Sequence, residues 1–186
     1  MSLKHAVLAL LEAEEGSGYD LLKRFQARLG YFWNASHQQI YQQLKKMHAE
    51  QLIEFEVESQ TDKPDRKVYS ITETGHEELL KWMSQPVKPN KVNDALLVKL
   101  YAGELVSPEQ LQAEIAHHRT RHQNTLNTFL AIEAEYLASP AAEQKTLQLP
   151  YLTLRRGILG EQSWLNWADE VEAALLKRTS AEATKR

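Results

Sequence analysis

Between Ser36 and Glu58 the spacing of apolar residues changes from a helical period to a strand period across one short connection. In SHQQIYQQLKKMHAEQLI, at about 100° per residue, Ile40, Leu44 and Met47 fall on one stripe, with Gln51 closing it. Gln38, Gln42, Lys45 and Ala49 fall on the opposite face. Lys46 lies at its edge, and Tyr41 and His48 lie on a flank. Ser36 is placed to cap the helix, with Gln39 as its reciprocal partner three residues on. No acid occurs before Glu50. In the next stretch Ile53, Phe55 and Val57 alternate with Glu54, Glu56 and Glu58, the pattern of a half-buried strand. Glutamine matches an adenine edge in a major groove, and lysine matches guanine or phosphate. The helix is therefore suited to DNA. An ordinary surface helix has the same amphipathic pattern, so its neighbours decide.

Leu3 to Glu14 reads as a first helix, with Leu3, Val7, Leu10 and Leu11 on one face, broken by the Gly-Ser-Gly at 16–18. A second helix runs from Tyr19 to about Leu29, with Leu22, Phe25 and Leu29 inward. Three short helices with tight connections make a helix-turn-helix arrangement. After the strand at 53–58, QTDKPDR reads as a loop, and KVYSIT resumes a strand with Tyr69 and Ile71 on one face. The hairpin carries Lys63, Arg66 and Lys67, diluted by Asp62 and Asp65. Thr72 is placed to cap a fourth helix, to which Leu79, Leu80, Trp82 and Met83 lend apolar weight. Trp33 and Trp82 read as packing residues. Three helices followed by a hairpin is the winged-helix order.

SQPVKPNK, at 84–91, is rich in proline and poor in apolar residues and reads as a boundary. The expected domains are 1–86 and 87–186. Beyond the boundary the pattern is helical. Asn93 to Gly103 is a short helix. Ser107-Pro108-Glu109 starts a long one that runs to about Ala138, SPAAEQKTLQLP is a loop, and a last helix runs from about Tyr151 to Arg178. Two long helices alone do not hide so much apolar surface. Leu111, Ile115, His118, His122, Leu126, Leu154, Ile158, Leu165, Ala168 and Leu175 are therefore expected at a dimer seam, against the same pair from a second copy. His118 and His122 lie four residues apart on that seam. They read as interface histidines, with a pH-sensing or metal-binding role as alternatives. Trp164, Trp167 and Tyr151 are candidates to line a pocket for a small aromatic effector; the alternative is that they are core.

The fold class expected is mainly α, with α+β character: a winged helix-turn-helix with a two-stranded wing, then a long-helix dimerisation domain. The chain of 186 residues has no cysteine, which removes disulfides, thiol catalysis and cysteine metal sites and fits a cytoplasmic location. No apolar run is long enough to cross a membrane, and the start does not read as a signal peptide. No Gly-rich phosphate loop, HExxH or GxSxG occurs, so no enzyme and no cofactor or metal are expected. Net charge is −3, with 11 Lys and Arg against 13 Asp and Glu in residues 1–90. Binding to nucleic acid must then rest on where charge is placed rather than on its total.

Three blocks, in order and at matching spacing, resemble a known family. SGYDLLKRF resembles the G-Y-x-L of PadR-type transcription regulators, SHQQIYQQLKKMHAEQLI their I-Y-x-x-L, and KVYSITETGHEELLKWM their Y-x-I/L-T-x-x-G. NDALLVKLYAGEL and RRGILGEQSWLNW resemble the longer helical C-terminal domain of the subfamily related to virulence activators. The resemblance implies a dimeric winged-helix repressor on a palindromic duplex operator. Carried over by position, Ser36, Gln38, Gln39 and Gln42 are expected at bases or phosphates. Tyr41 is expected at the backbone, Lys45 and Lys46 at phosphates, and Lys63, Arg66 and Lys67 in the wing contact. The acidic balance motivates a competing expectation, a winged-helix module that binds protein rather than DNA.

Overall fold

The computed structural model describes residues 3–30, 32–59, 65–88 and 93–184, with side chains described through Ser180. It divides into two compact units, Met1–Asn90 and Lys91–Arg186.

The first unit contains helices α1 (Leu3–Ala13), α2 (Gly18–Arg28), α3 (His37–Ala49) and α4 (Glu73–Met83), and strands β1 (Gly16–Ser17), β2 (Ile53–Glu58) and β3 (Arg66–Ile71). Its core is built from one face of each helix. Val7, Leu8 and Leu11 of α1 pack with Leu21 and Phe25 of α2, Ile40, Leu44 and Met47 of α3, Ile53 at the base of β2, and Leu79 of α4. The capping boxes Ser17/Asp20 and Ser36/Gln39 start α2 and α3. Each satisfies first-turn amides that the helix itself leaves free.

β2 and β3 pair antiparallel from Ile53↔Ile71 to Glu58↔Arg66. Burial falls along the hairpin, from buried Ile53 through half-buried Phe55 to exposed Val57, so the wing leaves the core as it extends. The sheet has one strand more than the expected two: Gly16 and Ser17 pair with Tyr69 and Val68, in the order β1-β3-β2. The Gly-Ser-Gly does end α1, but its extended backbone also joins the sheet. Gln51 does not close the apolar stripe of α3. The helix ends at Ala49, and Gln51 takes a left-handed φ of 58°, turning the chain into β2. Of the four apolar side chains expected on α4, Leu79 and Trp82 face inward, while Leu80 and Met83 are exposed.

The second unit contains α5 (Ala95–Tyr101), a 3-10 turn (Gly103–Leu105), α6 (Pro108–Ala138), α7 (Ala141–Thr146) and α8 (Gln148–Thr184). A Ser107/Gln110 capping box with Pro108 in the first turn starts α6. The stretch expected as a loop between the long helices contains α7, and α8 begins three residues earlier than expected. Pro150 is tolerated there because its missing amide lies in the first turn, where no intrahelical acceptor exists.

The residues expected at a dimer seam already have partners within one chain. Leu111, Ile115, Leu126, Leu154, Ile158, Leu165, Ala168 and Leu175 are all buried within one chain, where α6 packs along α8. Leu96 and Leu100 of α5 supply the third surface that a pair of helices lacks. His118 and His122 are half-buried on the same intrachain seam, His122 stacking on Trp164 at 3.8 Å and pairing with Glu161. Arg119 clamps Asp169 and Glu172, and Arg155 and Tyr151 both reach Glu133, so polar ties run the length of the hairpin. No described helix is long and apolar enough to cross a membrane.

Candidate nucleic-acid interface

α3 is pinned to the core by Ile40, Leu44 and Met47, which leaves Gln38, Gln42 and Lys45 exposed on the far side. Three donors and amide groups thus stand on one rigid face. Ser36 and Gln39, expected as contacts, are spent at least partly on the cap. The Ser36 hydroxyl accepts from the Gln39 amide at 3.2 Å, and Gln39 Oε1 accepts from the Ser36 amide at 2.8 Å. Lys46 stands at the edge of the face, 3.8 Å from Glu50. Its ammonium is exposed, so that pairing is weak and screened.

Tyr41 is 38% exposed and shows why a glycine stands at position 18. A Cβ on Gly18 would lie 2.7 Å from Tyr41 Cε1 and 3.1 Å from its hydroxyl oxygen. The phenol is therefore laid on the backbone at the start of α2, its position set by contact with two helices. Tyr19, which follows Gly18 in α2, is 66% exposed. His37, in the first turn of α3, is exposed with its ring 4.5 Å from that of Tyr41. Neither Tyr19 nor His37 was singled out from the sequence. The signal for His37 was its four-residue spacing from Tyr41, which puts the two on one flank.

The wing is less basic than its sequence implies. Arg66 Nε donates to Glu58 at 2.6 Å, and the guanidinium lies 3.8 Å from Asp20. The Asp20 carboxyl is held below its usual range by hydrogen bonds from the Ser17 hydroxyl and amide, so it stays ionised beside Arg66. Lys67 Nζ lies 4.1 Å from the centroid of the Phe55 ring, an exposed cation over an aromatic face. Lys63 lies outside the described residues.

In the second unit Trp164 and Trp167 line a concavity of about 690 Å³ together with Leu97, Leu159, Ser163 and Arg156. Tyr151 is not brought to it. It stacks on Tyr136 at 4.1 Å and donates to Glu133 at 2.9 Å. Thirteen residues of helix separate it from Trp164, roughly 20 Å at 1.5 Å each. Arg156 makes no ion pair or hydrogen bond with the described residues. Its place was legible in retrospect: positions 156, 160, 163 and 167 recur at helical spacing.

Comparison with known proteins agrees with this architecture. The family model described as transcriptional regulator PadR-like matches residues 7–81, and that described as virulence activator alpha C-term matches residues 92–176. A probable transcriptional regulator of Mycobacterium tuberculosis, Rv1176c, is 34% identical over 96% of this chain and 100% of its own length. The Vibrio cholerae virulence activator AphA superposes with a TM-score of 0.78 at 38% identity, covering 95% of this chain and 99% of AphA. Bacillus subtilis PadR, solved in complex with operator DNA, has a TM-score of 0.78 at 31% identity, covering 93% and 98%. PadR has also been solved with p-coumaric acid, where the TM-score is 0.73 at 29% identity. With both halves matched and a full-length relative above 30% identity, the chain belongs to the PadR-like family of transcriptional regulators, with a C-terminal domain of the virulence-activator type.

Proposed function

We propose that the protein is a cytoplasmic homodimer that binds a palindromic operator through α3 and represses transcription until a small aromatic effector binds. One observation carries the DNA reading: α3 offers Gln38, Gln42 and Lys45 on an exposed face with no acid, while its opposite face is fixed in the core. Amide and ammonium groups held on a rigid helix are the chemistry of base and phosphate contact. Tyr41 supplies a positioned hydroxyl for the backbone, and Lys46, Arg66 and Lys67 supply charge at the margins. Ser36 and Gln39 act chiefly by starting the helix.

Because the residues expected at the seam are buried within one chain, this reading assigns the dimer contact to other apolar surface. Leu149, Leu152 and Leu159 are exposed, three and seven residues apart on one stripe of α8. That stripe is the dimer contact in this reading. The effector site is the concavity lined by Trp164 and Trp167. Its volume suits a small ligand. Arg156 is a fork for a carboxylate there, and the indoles are faces for a ring. A ligand that fits one dimer geometry better than another shifts the spacing of the reading helices, and with it the match to successive half-sites.

The test is binding of the full-length protein to duplex from upstream of its own gene, by gel shift at low and at physiological salt. The reading expects a retarded complex at both, released by a hydroxycinnamate-type aromatic acid. No complex even at low salt would end it in favour of a protein-binding module.

A further inference from the structure

We propose that His37 reads a guanine in the major groove, one base pair per half-site; the inference rests on the proposed DNA binding by α3. Three observations converge on this residue. His37 is the first residue of α3, the end of a reading helix whose side chains reach base edges. It is exposed, while its neighbours Ser36 and Gln39 are engaged with each other in the cap. Its ring lies against Tyr41, 4.5 Å between centroids, and Tyr41 is itself seated on Gly18. The imidazole is therefore braced by a chain of contacts that ends in the backbone of α2. A floppy side chain that happened to be nearby would lack that support.

Chemistry then selects the base. An imidazole N–H donates. Guanine shows two acceptors on its major-groove edge, N7 and O6, whereas adenine places a donor beside its N7. Thymine offers a lone O4 acceptor beside its methyl group, and cytosine offers a donor, so guanine alone gives two adjacent acceptors. Gln38 and Gln42, on the adjoining face, have the adenine-matching amide. The expected half-site therefore holds one guanine read by His37 beside adenines read by the glutamines.

The experiment is selection from a randomised duplex library with full-length wild-type protein, His37→Ala and His37→Gln. It is followed by titration of the selected duplex and its single-base-pair variants across a salt series. Wild type is expected to select a guanine at one position of each half-site. His37→Ala should bind that duplex on the order of tenfold more weakly, lose the preference at that position alone, and keep its salt slope. His37→Gln should shift the preference there towards adenine. Unchanged preference at every position would overturn the proposal. So would a uniform loss across sequences with a shallower salt slope, the mark of a phosphate contact. If wild type selects no duplex at low salt, the DNA reading itself falls, and this inference falls with it.

Discussion

At the scale of single residues, the family blocks have physical reasons in this chain. The glycine in T-E-T-G is needed because a Cβ at Gly75 would sit 2.0 Å from the Leu52 carbonyl oxygen, a backbone atom that cannot swing away. Thr72 caps α4 by accepting from the Gly75 amide at 3.1 Å, and its hydroxyl donates to the Gln51 carbonyl at 2.7 Å. The motif thus fastens α4 to the turn that follows α3. Gly75→Ala is expected to lower the stability of the first unit by about 1–3 kcal/mol in urea titration, the usual cost of forcing atoms into a filled site. Two histidines of the same unit respond to pH with opposite signs. Burial lowers the pKa of His5, which stacks on Trp82 at 4.6 Å. The unfolded chain then binds more protons, so its contribution is complete above the unfolded pKa, near 6.5, and is lost as pH falls through the folded value. The hydrogen bond that His76 Nδ1 donates to the Glu12 carboxylate raises the pKa of His76. Its contribution is complete below about 6.5 and is lost as pH rises through the folded value. Thermal melts across that range should show His5→Gln blunting the acid-side loss and His76→Gln blunting the loss above 6.5. If neither slope changes, these environments are not those of the folded protein.

At the scale of elements, what was legible depended on whether the decisive partner was near in sequence. The caps at Ser36 and Ser107 and the start of α6 involve groups three residues apart, and the pattern showed them. The apolar stripes on α6 and α8 were also visible, but not their partner. Leu96 and Leu100 come from a seven-residue helix, and their role in closing the stripe is a long-range fact. The stripes therefore pointed to a second chain, although their buried residues find partners within the first. Ile158→Ala is expected to destabilise the protein by roughly 2–5 kcal/mol. Leu152→Glu, on the exposed stripe, should leave the melting of the fold nearly intact and reduce the mass seen by sedimentation to that of a monomer. A dimer that survives Leu152→Glu and Leu149→Glu together would place the contact elsewhere. The ion pairing of the wing was hidden for a similar reason. Asp20 lies 46 positions from Arg66, and nothing in either stretch announces that they meet. Glu58→Gln removes the closer acid, and operator affinity is expected to rise severalfold with a steeper salt dependence, because a guanidinium is freed for phosphate. Affinity unchanged in that variant would mean that the wing arginine takes no part.

At the scale of the whole molecule, a chain with net charge −3 must confine its cationic chemistry to small surfaces. The described acids of the first unit lie on α1 and the turn after it, α2, β2, Asp65 before β3 and α4, with Glu50 at the C-terminal cap of α3, and the far side of α3 itself is left without any. A duplex would therefore meet an acid-free helix on an otherwise acidic body, which favours one docking geometry over non-specific contact. Two such surfaces in a dimer double each contact and restore the affinity that one alone lacks. The most direct test is a salt-dependent titration of the selected operator with wild type and with the double variant Lys45→Glu and Gln42→Ala. Wild type should bind with a steep slope. The variant should keep its fold and its dimer, bind at least tenfold more weakly, and lose about two units of slope, one lysine–phosphate contact per protomer. Equal affinity and equal slope for the two proteins would contradict the account, because α3 would then not be the surface that meets DNA.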